Sequence, residues 1–251
     1  MKVLGVIPAR LESTRLPRKL LRDLCGKPLI QHVYENVKDA KSLDDVVVAC
    51  DDQKLVDLVK SFGGKAVLTS TEHQSGTQRI QEVAQKMPAD IYVNIQGDEP
   101  LMPGENVDLL IRAFADRKEF LVGTLALPKT EADEFQNKNV VKVVCDNAGK
   151  ALYFSRSPIP CFRDGGDVSF WKHLGIYCYR AEFWNKYAAM KPSILEQAEK
   201  LEQLKFLENG IQVQVVETRF DSIGVDTAED LLVVANLFAK KKTATKVATT
   251  K

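Results

Sequence analysis

Across the first half of the chain, short apolar runs alternate with stretches in which apolar residues recur every three or four positions. The runs at residues 2–7, 45–50, 66–69, 91–95 and 121–127 predict strands. Between the first two, residues 28–41 carry Leu29, Ile30, Val33, Tyr34 and Val37 at helical spacing. Residues 53–62 repeat the pattern with Leu55, Val56, Leu58 and Val59, and Gly63 with Gly64 stops it. Two further helices are expected at 77–87 and 104–117, the second started by Pro103. Strand–helix alternation of this kind implies a mostly parallel α/β sheet with helices on both faces. Ligands of such sheets bind beyond the carboxyl ends of the strands.

The second half is less regular. "VVKVVCDNAGKALYFSR" predicts two strands around an Asn-Ala-Gly turn, and "HLGIYCYR" and "QVQVVET" predict one strand each. Residues 193–210 read as one strong helix, opened by a capping box of Ser193 and Glu196 and closed by Gly210. A final helix is expected over 226–242, capped by Asp226 or Thr227. The expected organisation is a single domain over 1–239 with a β-rich subregion, followed by a basic, disordered tail at 240–251.

Composition narrows the function classes. The chain has 251 residues, 45% hydrophobic and 27% charged, in the ordinary range of water-soluble globular proteins. A net charge of +1 gives no bulk support for a nucleic-acid or acidic-membrane partner. No apolar run is long enough to span a bilayer, and an apolar strand begins at once. Five dispersed cysteines with no CxxC pair read as reduced thiols, so the expected location is cytoplasmic.

With so little net charge, the cations behind the first strand need a local explanation. "IPARLESTRLPRK" has neither of the usual glycine-rich phosphate motifs. Arg10, Ser13, Arg15 and Lys19 nonetheless suit a triphosphate, since guanidinium forks bind phosphate oxygens bidentately. The plainer reading is a solvated basic loop. In "VNIQGDEPLM" a strand delivers Asp98 to the same sheet edge, where a carboxylate with substrate phosphates suits Mg²⁺; a simple turn is the alternative. Asp226 in "SIGVDTAED" is a helix cap, a second metal carboxylate, or both. Ser75, Gly76 and Thr77 precede a helix and suit either plain capping or close approach of a ligand. Arg156, His173, Tyr177, Glu202 and Gln203 are polar groups amid apolar surroundings, by default a core histidine and solvated helix faces.

Taken in order, "IPARLESTRLPRK", "HQSGT", "VNIQGDEP", "ALYFSRSPIP", "HLGIYCYR", "LEQAEKLEQL" and "GVDTAEDL" resemble the 3-deoxy-manno-octulosonate (KDO) cytidylyltransferases over nearly the whole chain. The resemblance implies a Rossmann-like nucleotidyltransferase sheet with a smaller β-rich region for sugar binding and dimerisation. It implies transfer of CMP from CTP to KDO, with Mg²⁺ as cofactor and a homodimer as the working form. Arg10, Lys19, Asp98 and Asp226 are then the catalytic residues, and Asp98 and Asp226 the metal ligands. Pro8, Ala9, Arg10, Ser13, Arg15 and Lys19 would hold the nucleotide, with Gln74, Ser75 and Gly76 bordering its cytidine. Gln96, Arg156, His173, Tyr177, Glu202 and Gln203 would contact the sugar, Arg156 facing its carboxylate.

The chain departs from the family pattern in places. Arg18 stands where glycine is usual before the lysine, Gln78 replaces an acidic residue, and Cys50 replaces a threonine. "CFRDGGDVSFW" is short for a substrate-covering loop. The nearest rival is a cytidylyltransferase for another acidic sugar, 8-amino-KDO or a sialic acid. A non-catalytic nucleotide-binding module predicts loss of a phosphate-binding cation or a metal carboxylate, and none is missing.

Overall fold

The strand Val3–Ala9 (β1) is an unbroken apolar run because the chain covers both its faces. Val3, Ile7 and Ala9 enter one apolar core and Leu4 and Val6 the other, as side chains alternating across a sheet must. This is a computed structural model describing residues 1–248 along the backbone and side chains through residue 239.

After β1 come a 3-10 turn (Lys19–Leu21), a small hairpin of β2 (Asp23–Leu24) and β3 (Lys27–Pro28), and α1 (Leu29–Val37). They are followed by β4 (Asp45–Cys50), α2 (Gln53–Ser61), β5 (Ala66–Leu68), α3 (Gly76–Lys86), β6 (Ile91–Asn94) and α4 (Gly104–Ala115). The second half holds β7 (Val122–Lys129), α5 (Ala132–Gln136), β8 (Lys142–Cys145), β9 (Ala151–Ser155), β10 (Phe170–Arg180) and α6 (Phe183–Ala188). It closes with α7 (Ile194–Glu199), α8 (Gln203–Glu208), β11 (Val213–Glu217) and α9 (Ala228–Ala248).

One sheet carries the order β11-β7-β10-β6-β1-β4-β5, with β8 and β9 branching from β10. β1 pairs in parallel with both β4 and β6, and β11 with β7. β10 alone of the main run is antiparallel to its neighbours β6 and β7. The chain winds outward from β1 through β4 to β5, then returns to β6 on the other side of β1. That reversal opens a crevice at the carboxyl ends of β1 and β6. Residues of α1, α2 and α4 cover one face, and Ile80, Val83, Phe183 and Phe206 help cover the other.

Most expected elements stand within a few residues of their places. Residues 193–210 differ. They form α7 and α8, separated by Lys200 at φ 53° and ψ 47°, a left-handed conformation that ends a helix. Ser193 does cap α7, accepting the Glu196 amide at 2.9 Å. Glu208 then folds back, accepting from Ser193 Oγ and the Leu195 amide, so α8 doubles against the start of α7. Tertiary packing overrides local helix propensity because the break buries Leu201 and turns Glu202 toward the sheet. The backbone of α9 runs past the expected end at residue 242, so the expected disordered tail is helical as far as Ala248. Its alanines and lysines are good helix formers. Residues 249–251 of that tail lie outside the described residues.

Candidate active site

Where β1 ends, the chain turns into the basic loop, and two buried leucines hold that loop down. Leu11 and Leu16 enter the core, and the Leu11 amide donates to Asp51 Oδ1 at 2.8 Å. The loop then needs a sharp turn to bring Lys19 inward, and Arg18 makes it at φ 53° and ψ 39°. Glycine adopts this region freely and arginine does not. The family-typical glycine position is thus occupied by an arginine that keeps the glycine conformation, its Nε donating to Glu12 at 3.3 Å.

Lys19 is the hub of the site. Its ammonium is nearly buried and lies 2.6 Å from Asp98 Oδ2 and 3.0 Å from Asp226 Oδ1. Burial alone lowers a lysine pKa; here the charge and hydrogen bond of Asp98, then of Asp226, outweigh it and hold the pKa above its ordinary value. Arg15 Nη2 reaches the other oxygen of Asp226 at 3.0 Å. Asp226 is free for this work because it is not the cap of α9. Thr227 Oγ1 accepts the Asp230 amide, and Asp230 accepts the amides of Asp226 and Thr227.

Two cavities meet around this hub. A smaller one, of about 320 Å³, is lined by Pro8, Arg10, Ser13, Lys19, Gly76 and Asp98 among others. A larger one, of about 870 Å³, is lined by Arg15, Asp226 and all six expected sugar-contacting residues. Gly76 and Gln96 belong to both. Gly97 lies on the smaller cavity's wall and has no room for a side chain, since a Cβ would sit 2.8 Å from the Pro8 carbonyl oxygen.

Three expected nucleotide-bordering residues stand elsewhere. Ala9 is fully buried because its strand alternation points it into the core. Gln74 is exposed, its side-chain amide donating to the Glu72 carbonyl. Ser75 caps α3 through the Gln78 amide and donates to Glu202 Oε1 at 2.6 Å, so its hydroxyl is already engaged. Arg15 also departs from expectation by lining the larger cavity.

Within the larger cavity, Glu202 gathers three hydroxyls: Ser75 at 2.6 Å, Thr77 at 2.8 Å and Tyr187 at 3.0 Å. This locks the break between α7 and α8 onto the start of α3. His173 is buried against the rings of Phe154 and Tyr177, and its Nε2 lies 3.0 Å from Thr124 Oγ1. Burial pushes its pKa down to about 3, so the imidazole is neutral at physiological pH. A bulge in β10 lets the Gly175 carbonyl accept from Gln96 Nε2 at 3.0 Å.

Sequence reasoning missed several members. Glu99 lines the larger cavity, and burial pushes its carboxyl up to about 7. Lys172, held by Asp221 at 2.7 Å, and Asn94 face the same space. Arg79 lies fully buried one helical turn after Gly76 and lines the smaller cavity. Only its spacing from Gly76 on the amphipathic α3 hinted at an inward position.

A family model described as cytidylyltransferase matches residues 4–218. A 3-deoxy-manno-octulosonate cytidylyltransferase of Trichlorobacter lovleyi is 48% identical over 242 residues, covering 92% of this chain and 96% of that protein. One from Koribacter versatilis is 49% identical over 232 residues, covering 92% and 88%. The chain belongs to the 3-deoxy-manno-octulosonate cytidylyltransferase family.

A solved structure of a CMP:2-keto-3-deoxy-manno-octonic acid synthetase complexed with CTP superposes on this cytidylyltransferase with a TM-score of 0.92. It is 42% identical and covers 96% of this chain and 100% of its own. A 4-diphosphocytidyl-2C-methyl-D-erythritol synthase from Anaerococcus prevotii, 15% identical with a TM-score of 0.61 over 95% and 98% of the two chains, shares the fold. The sheet is thus shared at low sequence identity.

Proposed function

We propose that the protein transfers CMP from CTP to KDO, giving CMP-KDO and pyrophosphate for lipopolysaccharide biosynthesis. The observation that carries the reading is the hub itself. Lys19, Arg15, Asp98 and Asp226 converge at the seam between a smaller cavity lined by Arg10 and Arg79 and a larger one lined by Arg156, His173 and Glu202. CTP occupies the small cavity, its phosphates near Arg10, Ser13 and Lys19, and KDO the large one. The anomeric hydroxyl oxygen of KDO forms a bond to the α-phosphorus as the bond to the bridging oxygen of pyrophosphate breaks, and the hydroxyl proton is lost to solvent. Positioning and charge neutralisation supply most of the acceleration in such transfers. Gln96, on both cavity walls, orients the two substrates toward each other, and Arg156 takes the sugar carboxylate.

The donor set at the hub suits Mg²⁺. Asp98 and Asp226 present hard carboxylate oxygens to one cationic point, and among the described residues no cluster of three or more His, Cys, Asp or Glu offers a closed metal site. Mg²⁺ takes one or two carboxylates together with substrate phosphates and water, so two are enough. Bound there, it supplies charge neutralisation for the transferring phosphoryl group.

The working form is a homodimer built through the β-rich half. In support, among the described residues β9 pairs with β8 alone, and Leu152 on it and Ile194 of α7 are 59% and 77% exposed. A cytoplasmic location accords with five free cysteines. Among the described residues no helix is long and apolar enough to cross a membrane.

Pyrophosphate release with CTP and Mg²⁺ tests the reading, with KDO, 8-amino-KDO and N-acetylneuraminate as acceptors and ATP and UTP as nucleotide controls. Release with KDO and CTP alone is expected. Release only with another sugar overturns the specificity, and silence across the panel overturns the activity.

A further inference from the structure

Beneath the wall of the larger cavity lies a buried lysine that the reaction does not use. Lys142 is wholly buried at the start of β8, and its ammonium donates to three carbonyls: Val140 at 2.7 Å, Arg156 at 2.7 Å and Asn137 at 3.0 Å. An ammonium has three protons and no acceptor, so each proton has a partner. Burying a charge whose hydrogen bonds all go to neutral carbonyls is expensive, and burial holds its pKa below the ordinary value although the nearby Glu199 carboxylate works the other way. A structural tie needs no charge at such a place. The carbonyls it gathers belong to residues of the cavity wall: Asn137, Val140 and Arg156 all line it.

Arg156 is held equally from its other side. Glu199 Oε2 accepts its backbone N–H at 2.9 Å while Oε1 accepts the hydroxyl of Ser155 at 2.6 Å. The Glu199 carbonyl accepts Arg156 Nε at 2.8 Å, and the Lys138 carbonyl accepts Nη1 at 3.1 Å. Nη2 also reaches the Lys200 carbonyl at 3.5 Å, so of the five N–H groups of the guanidinium two remain for a ligand. Glu199 is in place only because α7 ends there, at the left-handed Lys200.

We propose that Lys142 and Glu199 are positioning residues for acceptor recognition: Lys142 holds the Arg156 carbonyl and the Glu199 carboxylate its backbone N–H, and this clamp on the backbone aims the Arg156 fork toward the carboxylate of an acidic sugar. The inference rests on the reading that Arg156 takes that carboxylate.

Steady-state kinetics of Lys142→Met, Glu199→Gln and Arg156→Ala, each checked for fold by circular dichroism and thermal midpoint, test it. KM for KDO is expected to rise about tenfold in Lys142→Met and severalfold in Glu199→Gln, with KM for CTP within about twofold of wild type. A purely structural role lowers the thermal midpoint without separating the two KM values. Arg156→Ala distinguishes the layers: no change in KM for KDO refutes the carboxylate reading and the inference with it. A rise in Arg156→Ala with no rise in either positioning variant refutes the inference alone. Equal rises for both substrates refute it too, and if Lys142→Met does not fold, Glu199→Gln decides.

Discussion

Gly97→Ala is the smallest change that tests how the smaller cavity is built. The new methyl would lie 2.8 Å from the Pro8 carbonyl oxygen, 3.4 Å from Ile30 Cδ1 and 3.5 Å from Ile7 Cγ2. The first contact is far inside the ordinary separation of about 3.5 Å. It is also with backbone. Pro8 lies in β1, in register with Ala49 of β4, and cannot retreat without disturbing the central pair of strands. Overpacking of this sort costs about 1–3 kcal/mol. For a chain of this size each kcal/mol moves the midpoint by about 2–4 °C, so a fall of about 2–12 °C is expected. Pro8 and Gly97 both line the smaller cavity, so the displacement also widens its wall, and KM for CTP rises severalfold while KM for KDO moves less. Differential scanning fluorimetry and kinetics with each substrate in turn give both readouts. Gly76→Ala is the matched control, since its methyl meets Pro8 Cγ at 3.4 Å, an ordinary contact, and its midpoint holds. An unchanged midpoint and unchanged KM for CTP in Gly97→Ala refute the close approach of β1 and β6 at this edge.

Three other outcomes follow from the site. Arg18→Gly relieves a left-handed arginine at about 1–2 kcal/mol but gives back about 0.4–1 kcal/mol in unfolded-chain entropy and loses only an exposed ion pair. Its midpoint should stay within about 4 °C of wild type and KM for CTP unchanged or lower, and a larger fall means the arginine has a structural partner of consequence. Asp98→Asn removes one carboxylate from the hub and leaves Lys19 with Asp226, so turnover should fall at least about 100-fold with the circular dichroism spectrum kept; near-normal turnover sinks the metal assignment. His173 binds its proton in the unfolded chain near pH 6.5 but in the folded chain only near 3, so its neutral form adds stability that is complete above 6.5 and lost as pH falls toward 3. The urea midpoint should therefore drop between pH 6.5 and 4, less steeply in His173→Asn, and an equal slope in both proteins refutes a neutral buried imidazole.

Much of this protein is written in local pattern. The unbroken apolar run of β1 needs cover on both faces, and the 3.6-residue spacing of Leu55, Val56 and Val59 needs a core on one side only, so the α/β sheet follows from periodicity. Its carboxyl edge then predicts that the loops after β1 and β6 meet, and with them Arg10, Lys19 and Asp98. What could not be read locally is anything set by groups far apart in the chain. Residues 193–210 have the propensity of one helix, yet Glu202 gains three hydroxyl donors from Ser75, Thr77 and Tyr187 by breaking it. Ala9 and Gln74 belong to motifs whose neighbours face the cavities, but strand alternation buries Ala9 in the core and the Gln74 side-chain amide turns to the Glu72 carbonyl. Lys142 reads as an ordinary charged residue at the start of a strand until three carbonyls, one of them fourteen positions away, close around it. Sequence fixes which backbone geometry each segment prefers, because propensity and periodicity act over a few residues. Tertiary structure alone decides which polar groups are buried together, and that is what pairs Lys19 with two carboxylates and leaves His173 and Lys142 under the pull of desolvation.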